Sequence, residues 1–168
     1  VMAIDVSASM LAKDLKPNRL EALKDVATKF VQKRPNDRIG IVVYAGESFT
    51  QTPITSDKSI VQNTIRKIQW GQIEDGTAIG MGLGSAVNRL KDSKAKSKVI
   101  ILLTDGVNNT GFVDPKTATD DIERYASVTK EDVDMATHRE KRNSRGVRLI
   151  SVPLAASNKC CSEVDSDP

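Results

Sequence analysis

Aromatic side chains are scarce in this chain: three phenylalanines, two tyrosines and one tryptophan make up 4% of it. Modules that hold single-stranded nucleic acid stack bases on aromatic platforms inside basic grooves. No strong field toward nucleic acid or anionic membrane follows either, because 25 basic and 22 acidic residues are mixed along the sequence for a net charge of only +3. Lys91, Lys94, Lys96 and Lys98 crowd one segment before an apolar run and read as a solvated loop. Histidine occurs once, as His138 in a charge-rich stretch with no evident nucleophile or metal partner, so histidine-based catalysis is not supported. The only cysteines, Cys160 and Cys161, are adjacent, which suits neither a structural disulfide nor zinc-site spacing and leaves the redox compartment undetermined. No uninterrupted apolar run is longer than Val99–Leu103, far short of the roughly 18 to 20 residues that cross a bilayer. The sequence opens at Val1, inside an apolar strand and without a charged leader, and reads as part of a longer protein.

What remains is ordinary globular composition: 168 residues, 39% hydrophobic and 28% charged, with ten glycines and six prolines. That length suits one compact domain, expected over residues 1–154, with a small, polar, loose tail over 155–168. Val1–Ile4 is an apolar strand running straight into Asp5-Val6-Ser7-Ala8-Ser9. Asn18 caps a helix whose apolar face carries Leu20, Leu23, Val26, Ala27, Phe30 and Val31 and which stops before Pro35. Ile39–Tyr44 reads as a strand buried on both faces, turned by Gly46-Glu47 into a short partner around Phe49–Thr52. Ser56 is the expected cap of a second helix carrying Ile60, Val61, Ile65 and Ile68. A loop from Gln69 to Gly76 then delivers Thr77, and Ile79–Leu90 reads as a glycine-containing helix packed closely on a neighbour. Val99–Leu103 is another apolar strand, ending at Thr104-Asp105-Gly106. Two mostly polar helical pieces are expected between Thr117 and Arg145, and Val147–Val152 is the last strand. Alternating strands and helices imply a three-layer, Rossmann-like α/β/α sandwich around a mostly parallel sheet, with ligands beyond the carboxyl ends of the strands.

Three polar loops collect at that edge. Mg²⁺ is a hard cation that wants near-octahedral oxygen ligands and usually keeps several waters. In Asp5-x-Ser7-x-Ser9 oxygen-bearing side chains recur at every second position, Asp105 follows a different strand, and Thr77 adds a hydroxyl from a third loop. Alone, a DxSxS pattern is weak, since aspartate or serine at a strand end is more often a helix cap; Thr77 likewise has a second available role, capping the helix that starts at Ala78. The combination is far more specific.

DVSAS, DGTAIG and TDG, in this order and at these separations, resemble the metal-ion-dependent adhesion site of von Willebrand factor type A domains, over roughly Val1 to Gly111. The resemblance implies that Ser7, Ser9 and Thr77 coordinate Mg²⁺ or Mn²⁺ directly, and that Asp5 and Asp105 act directly or through water. SMLAKDLKPNRLEALK, RPNDRIGIVVYAGESFTQTPIT and LLTDGVNNTG are similar to the Bat-type proteins of bacterial aerotolerance operons. Those proteins are anchored in the bacterial inner membrane, face the periplasm and associate with MoxR-type AAA+ ATPases and other Bat proteins. The implied function is a non-enzymatic adhesion or scaffold module whose metal grips an Asp or Glu of a protein partner. Beyond about Thr119 the chain departs from that pattern, inserting a long charged stretch before GVRLISVPLA. A divergent insertion, an altered reading frame and a partner-binding helix all remain open for that stretch.

Competing motifs are weaker. Gly80-x-Gly82-x-x-Ser85 follows a loop and not a strand, so it reads as tight helix packing and not as a dinucleotide fingerprint. Ser9 lacks the G-x-S-x-G setting of a hydrolase elbow, and Asp5 lacks the second aspartate of a phosphatase DxD loop. A Mg²⁺-dependent phosphoryl-transfer enzyme is the second reading, with Asp14 or Glu47 as the base it would have to recruit. Trp70, in the loop ahead of Thr77, belongs either at the metal face or in the core.

Overall fold

The computed structural model describes residues 1–95, 97–105, 108–113, 117, 141–142 and 147–153. Strands β1 (Met2–Asp5), β2 (Ile39–Tyr44), β3 (Ser48–Thr55), β4 (Lys98–Thr104), β5 (Lys141–Arg142) and β6 (Val147–Pro153) form one sheet in the order β3-β2-β1-β4-β6-β5. The pairs β1·β2, β1·β4 and β4·β6 are parallel, while β2·β3 and β5·β6 are antiparallel. Every residue of β1 and β2 is buried, the result expected of continuous apolar runs that must satisfy two covered faces.

Successive residues feed opposite faces, as a strand requires. Met2 and Ile4 join Ile41, Val43, Ile101 and Leu103 in one core, under α1 (Arg19–Gln32) and α2 (Lys58–Lys67). Ala3, Tyr44, Ile100 and Leu102 join the other, under α3 (Ile79–Leu90). Each fully buried aliphatic contributes about 1.5 to 3 kcal/mol, so these two layers supply the main drive for folding. Asn18 caps α1 as expected, its side chain accepting from Glu21 N at 2.8 Å.

Several local expectations are corrected. The cap of α2 is Asp57, whose carboxylate accepts from Ser59 N and Ile60 N, and not Ser56; a carboxylate adds charge stabilisation to the helix terminus. The apolar face of α1 is the stripe Leu20, Leu23, Ala27 and Val31, leaving Val26 59% exposed beside it, and on α2 Ile60 is 51% exposed. The partner of β2 is longer than Phe49–Thr52, running Ser48–Thr55 through exposed Pro53, with register shifts between Ile39 and Val42. Lys141–Arg142, within the stretch expected to be helical, is a strand; apart from Thr117 the rest of Thr117–Arg145 lies outside the described residues, as do His138, Cys160, Cys161 and the tail over 155–168.

Candidate metal centre

Parallel pairing brings the carboxyl ends of β1, β2 and β4 to one edge, and the loops leaving them meet there. Asp5 closes β1 with no exposed surface. One carboxylate oxygen accepts from Ser7 N at 2.9 Å and the other from the Thr104 hydroxyl at 2.7 Å. The chain then turns into a short 3₁₀ helix over Ala8–Leu11, pinned by Met10, which is fully buried. This turn brings the Ser7 and Ser9 hydroxyls to 2.9 Å from each other. Ser9 Oγ also donates to Asp105 Oδ1 at 2.8 Å, linking positions 96 residues apart.

The Thr77 loop is fastened on both sides. Ala8 N donates to Asp75 Oδ1 at 2.9 Å, Gly46 N to Glu74 O at 2.8 Å and Ala78 N to Ala45 O at 2.7 Å. Gly76 has φ +140°, and a Cβ there would meet Thr110 Cγ2 at 2.4 Å, so only glycine fits. From the loop after β4, Asn109 Oδ1 accepts from Thr77 N at 2.8 Å while Asn109 N donates to Thr77 O at 3.1 Å. Asn108 Oδ1 accepts from Ile79 N at 2.8 Å. The capping role open to Thr77 is therefore not taken: α3 starts at Ile79, Ala78 stands at its cap position, and Asn108 supplies the acceptor. Among the described residues the Thr77 side chain, 4% exposed overall, makes no hydrogen bond.

Charge at the centre is crowded. Burial raises the pKa of Asp5 above its ordinary value, against the hydrogen bonds from Ser7 and Thr104, and the charge of Asp105 raises it further. The Tyr44 phenol, fully buried beside them, is pushed well above its usual range by burial and then by the Asp5 charge. Asp105 is compensated by Arg19, the first residue of α1: Nη1 of the guanidinium donates to Asp105 Oδ2, while Nε and Nη2 hold Asp14 at 2.8 and 2.7 Å. That contact lowers the pKa of Asp14 and raises that of Arg19 far above its usual value.

The donor set fits a hard divalent cation. Ser7, Ser9 and Asp105 oxygens converge within hydrogen-bond distance, Thr77 arrives on the loop tied to both neighbours, and a cation would relieve the cost of keeping Asp5 ionised. Among the described residues there is no cluster of three or more His, Cys, Asp or Glu, so hydroxyls would complete the shell. Sequence reasoning singled out these five side chains, of which hydrogen bonds join Ser7, Ser9 and Asp105, and missed the residues around them: Arg19, Asp75, Thr104, Asn108 and Asn109. Trp70 is 49% exposed, which removes the core alternative.

A model of the von Willebrand factor type A domain matches residues 1–108. The chain belongs to that family. The chain also resembles the crystal structure of BatB from Bacteroides thetaiotaomicron, with TM-score 0.71 and 30% identity, over 90% of this chain and 64% of that one. An aerotolerance-related membrane protein from Bacteroides fragilis gives TM-score 0.66 and 28% identity, over 89% and 78%. Proximal thread matrix protein 1 of the mussel byssus, solved with a zinc-occupied MIDAS motif, gives TM-score 0.66 and 25% identity, over 89% and 34%. A Borreliella burgdorferi protein is 36% identical over 111 residues, 66% of this chain and 33% of its own length. The chain spans about a third of the curated relatives it matches. This von Willebrand A domain thus stands close to the Bat-type proteins, in fold and in sequence.

Proposed function

We propose that this domain binds Mg²⁺ or Mn²⁺ through Asp5, Ser7, Ser9, Thr77 and Asp105 and uses the ion to grip an Asp or Glu of a protein partner. One observation carries the reading: Ser9 joins the hydroxyl of Ser7 to the carboxylate of Asp105 across 96 residues, an arrangement of oxygens that no helix cap requires. The zinc-occupied MIDAS motif of the mussel neighbour supports divalent binding on this fold. Three neutral hydroxyls and two carboxylates leave the ion electrophilic, so a carboxylate from outside completes its shell. The likeness to BatB and to the aerotolerance-related membrane protein supports a membrane-associated setting; a place in a Bat/MoxR-type complex at the bacterial inner membrane, with the domain facing the periplasm, is our inference from the family resemblance. No helix among the described residues is long and apolar enough to cross a membrane.

A binding role, without turnover, is also favoured by the fate of the carboxylates that phosphoryl transfer would recruit. Arg19 stabilises the charged form of Asp14 and makes it a poor base, and Glu47 is an exposed turn residue. Two measurements test the proposal: calorimetric titration of Mn²⁺ into wild type and Thr77→Ala, and capture of membrane-extract proteins on immobilised domain in Mg²⁺ and in EDTA. Wild type should bind Mn²⁺, the variant should bind it more weakly, and capture should be lost in EDTA. Equal capture in both buffers refutes the metal bridge.

A further inference from the structure

Arg19 is held where it touches the metal centre without belonging to its ligand set. Its backbone N donates to Ala12 O at 3.0 Å, and its Nε and Nη2 grip both oxygens of Asp14, a carboxylate 46% exposed. The remaining Nη1 reaches Asp105 Oδ2, on a side chain with no exposed surface. Since Ser9 already donates to Asp105 Oδ1, the chain's own donors use both oxygens of Asp105. A dication approaching Ser7, Ser9 and Asp105 therefore meets a fixed positive charge on one of its ligands, in a partly buried setting where like charges are weakly screened. Asp14 offers that charge an alternative partner outside the centre.

Resting on the metal-binding reading above, we propose that Arg19 is an internal counter-cation: its guanidinium neutralises Asp105 when no metal is present, and a divalent ion binds by displacing it from Asp105 while Asp14 retains it. Arg19 then sets metal affinity through competition. Asp14 sets the strength of the competitor.

Mn²⁺ titrations of wild type, Arg19→Gln and Asp14→Asn, with melting curves of each in Mn²⁺ and in EDTA, test this. Arg19→Gln should bind Mn²⁺ about tenfold tighter or more, melt lower in EDTA and gain more from Mn²⁺. Asp14→Asn, which leaves the guanidinium to Asp105 alone, should bind Mn²⁺ several-fold more weakly. Both variants break the same Arg19–Asp14 pair, so a merely structural ion pair would move them together. Arg19→Lys keeps the charge and should stay closer to wild type than Arg19→Gln, which protects the test if the glutamine variant folds poorly. Equal or weaker Mn²⁺ binding by Arg19→Gln, shifts of one sign in both variants, or equal tightening by Arg19→Lys would overturn the proposal. Should none of the proteins bind Mn²⁺, the metal reading falls with it; binding by wild type with unchanged Arg19→Gln sinks this proposal alone.

Discussion

Gly82→Ala and Gly84→Ala make the same chemical change two residues apart on α3, and only Gly84→Ala should gain stability from it. A Cβ at Gly82 would stand 2.6 and 2.7 Å from Cδ1 and Cγ of Tyr44, whereas at Gly84 it would meet nothing within 4 Å. Each substitution gains about 1 kcal/mol of helix propensity. Gly82→Ala must also push a fully buried ring, and overpacking of that kind costs about 1 to 3 kcal/mol. Gly84→Ala should therefore raise the melting temperature by about 2 to 4 °C, and Gly82→Ala should leave it level or lower it by up to about twice that. The difference between the two cancels propensity and isolates the contact. Tyr44 pairs in register with Asp5, and its carbonyl accepts from Val6 N at 2.9 Å; displacing the ring should therefore also weaken Mn²⁺ binding in Gly82→Ala alone. Circular dichroism melts in EDTA, followed by Mn²⁺ calorimetry, give both readouts. Shifts of the same sign and similar size would show that α3 does not rest on Tyr44 as described.

Two further predictions concern the centre's charges and fastenings. Burial raises the folded-state pKa of Asp5 above its ordinary 3.8, so the folded protein binds that proton more tightly than the unfolded chain, and Asp5 lowers stability as pH rises through this window. Asp5→Asn should accordingly melt higher than wild type at pH 7 in EDTA, converge with it in acid, and lose Mn²⁺ binding; a lower melting temperature at pH 7 would contradict the burial argument. Asn109→Ala leaves the Thr77 amide without its acceptor, at a cost of about 1 to 3 kcal/mol, and should weaken Mn²⁺ several-fold by loosening Thr77; wild-type stability and affinity would refute the clamp.

Strands and site loops were legible for one reason: a sheet covered on both faces demands continuous apolar runs, so the polar residues that interrupt Val1–Ile4 and Val99–Leu103 stand out as loop ends. The supports were not legible. Arg19 and Asp14 read as solvated charges around a helix start, and only folding brings Asp105 within reach of the guanidinium. In the sequence Asp5 and Asp105 are the only charges in view at the centre, and folding adds Arg19 as a compensating one. Asn108 and Asn109 act on backbone groups 29 and 32 residues away, a link that leaves no periodicity. Ser56 and Asp57 are both good caps, and the final choice depends on where Thr55 ends β3, with its hydroxyl accepting from Asp57 N.

The outer strand β3 carries Pro53 in its middle and departs from regular register along β2. Proline has no amide hydrogen to offer a further strand, and an irregular edge fits poorly against a straight one. On that side the sheet is blunted against growth into a ribbon of copies, so the β3 edge does not by itself invite edge-to-edge pairing. Contact is left to the carboxyl end of the sheet, where the proposed ion would sit.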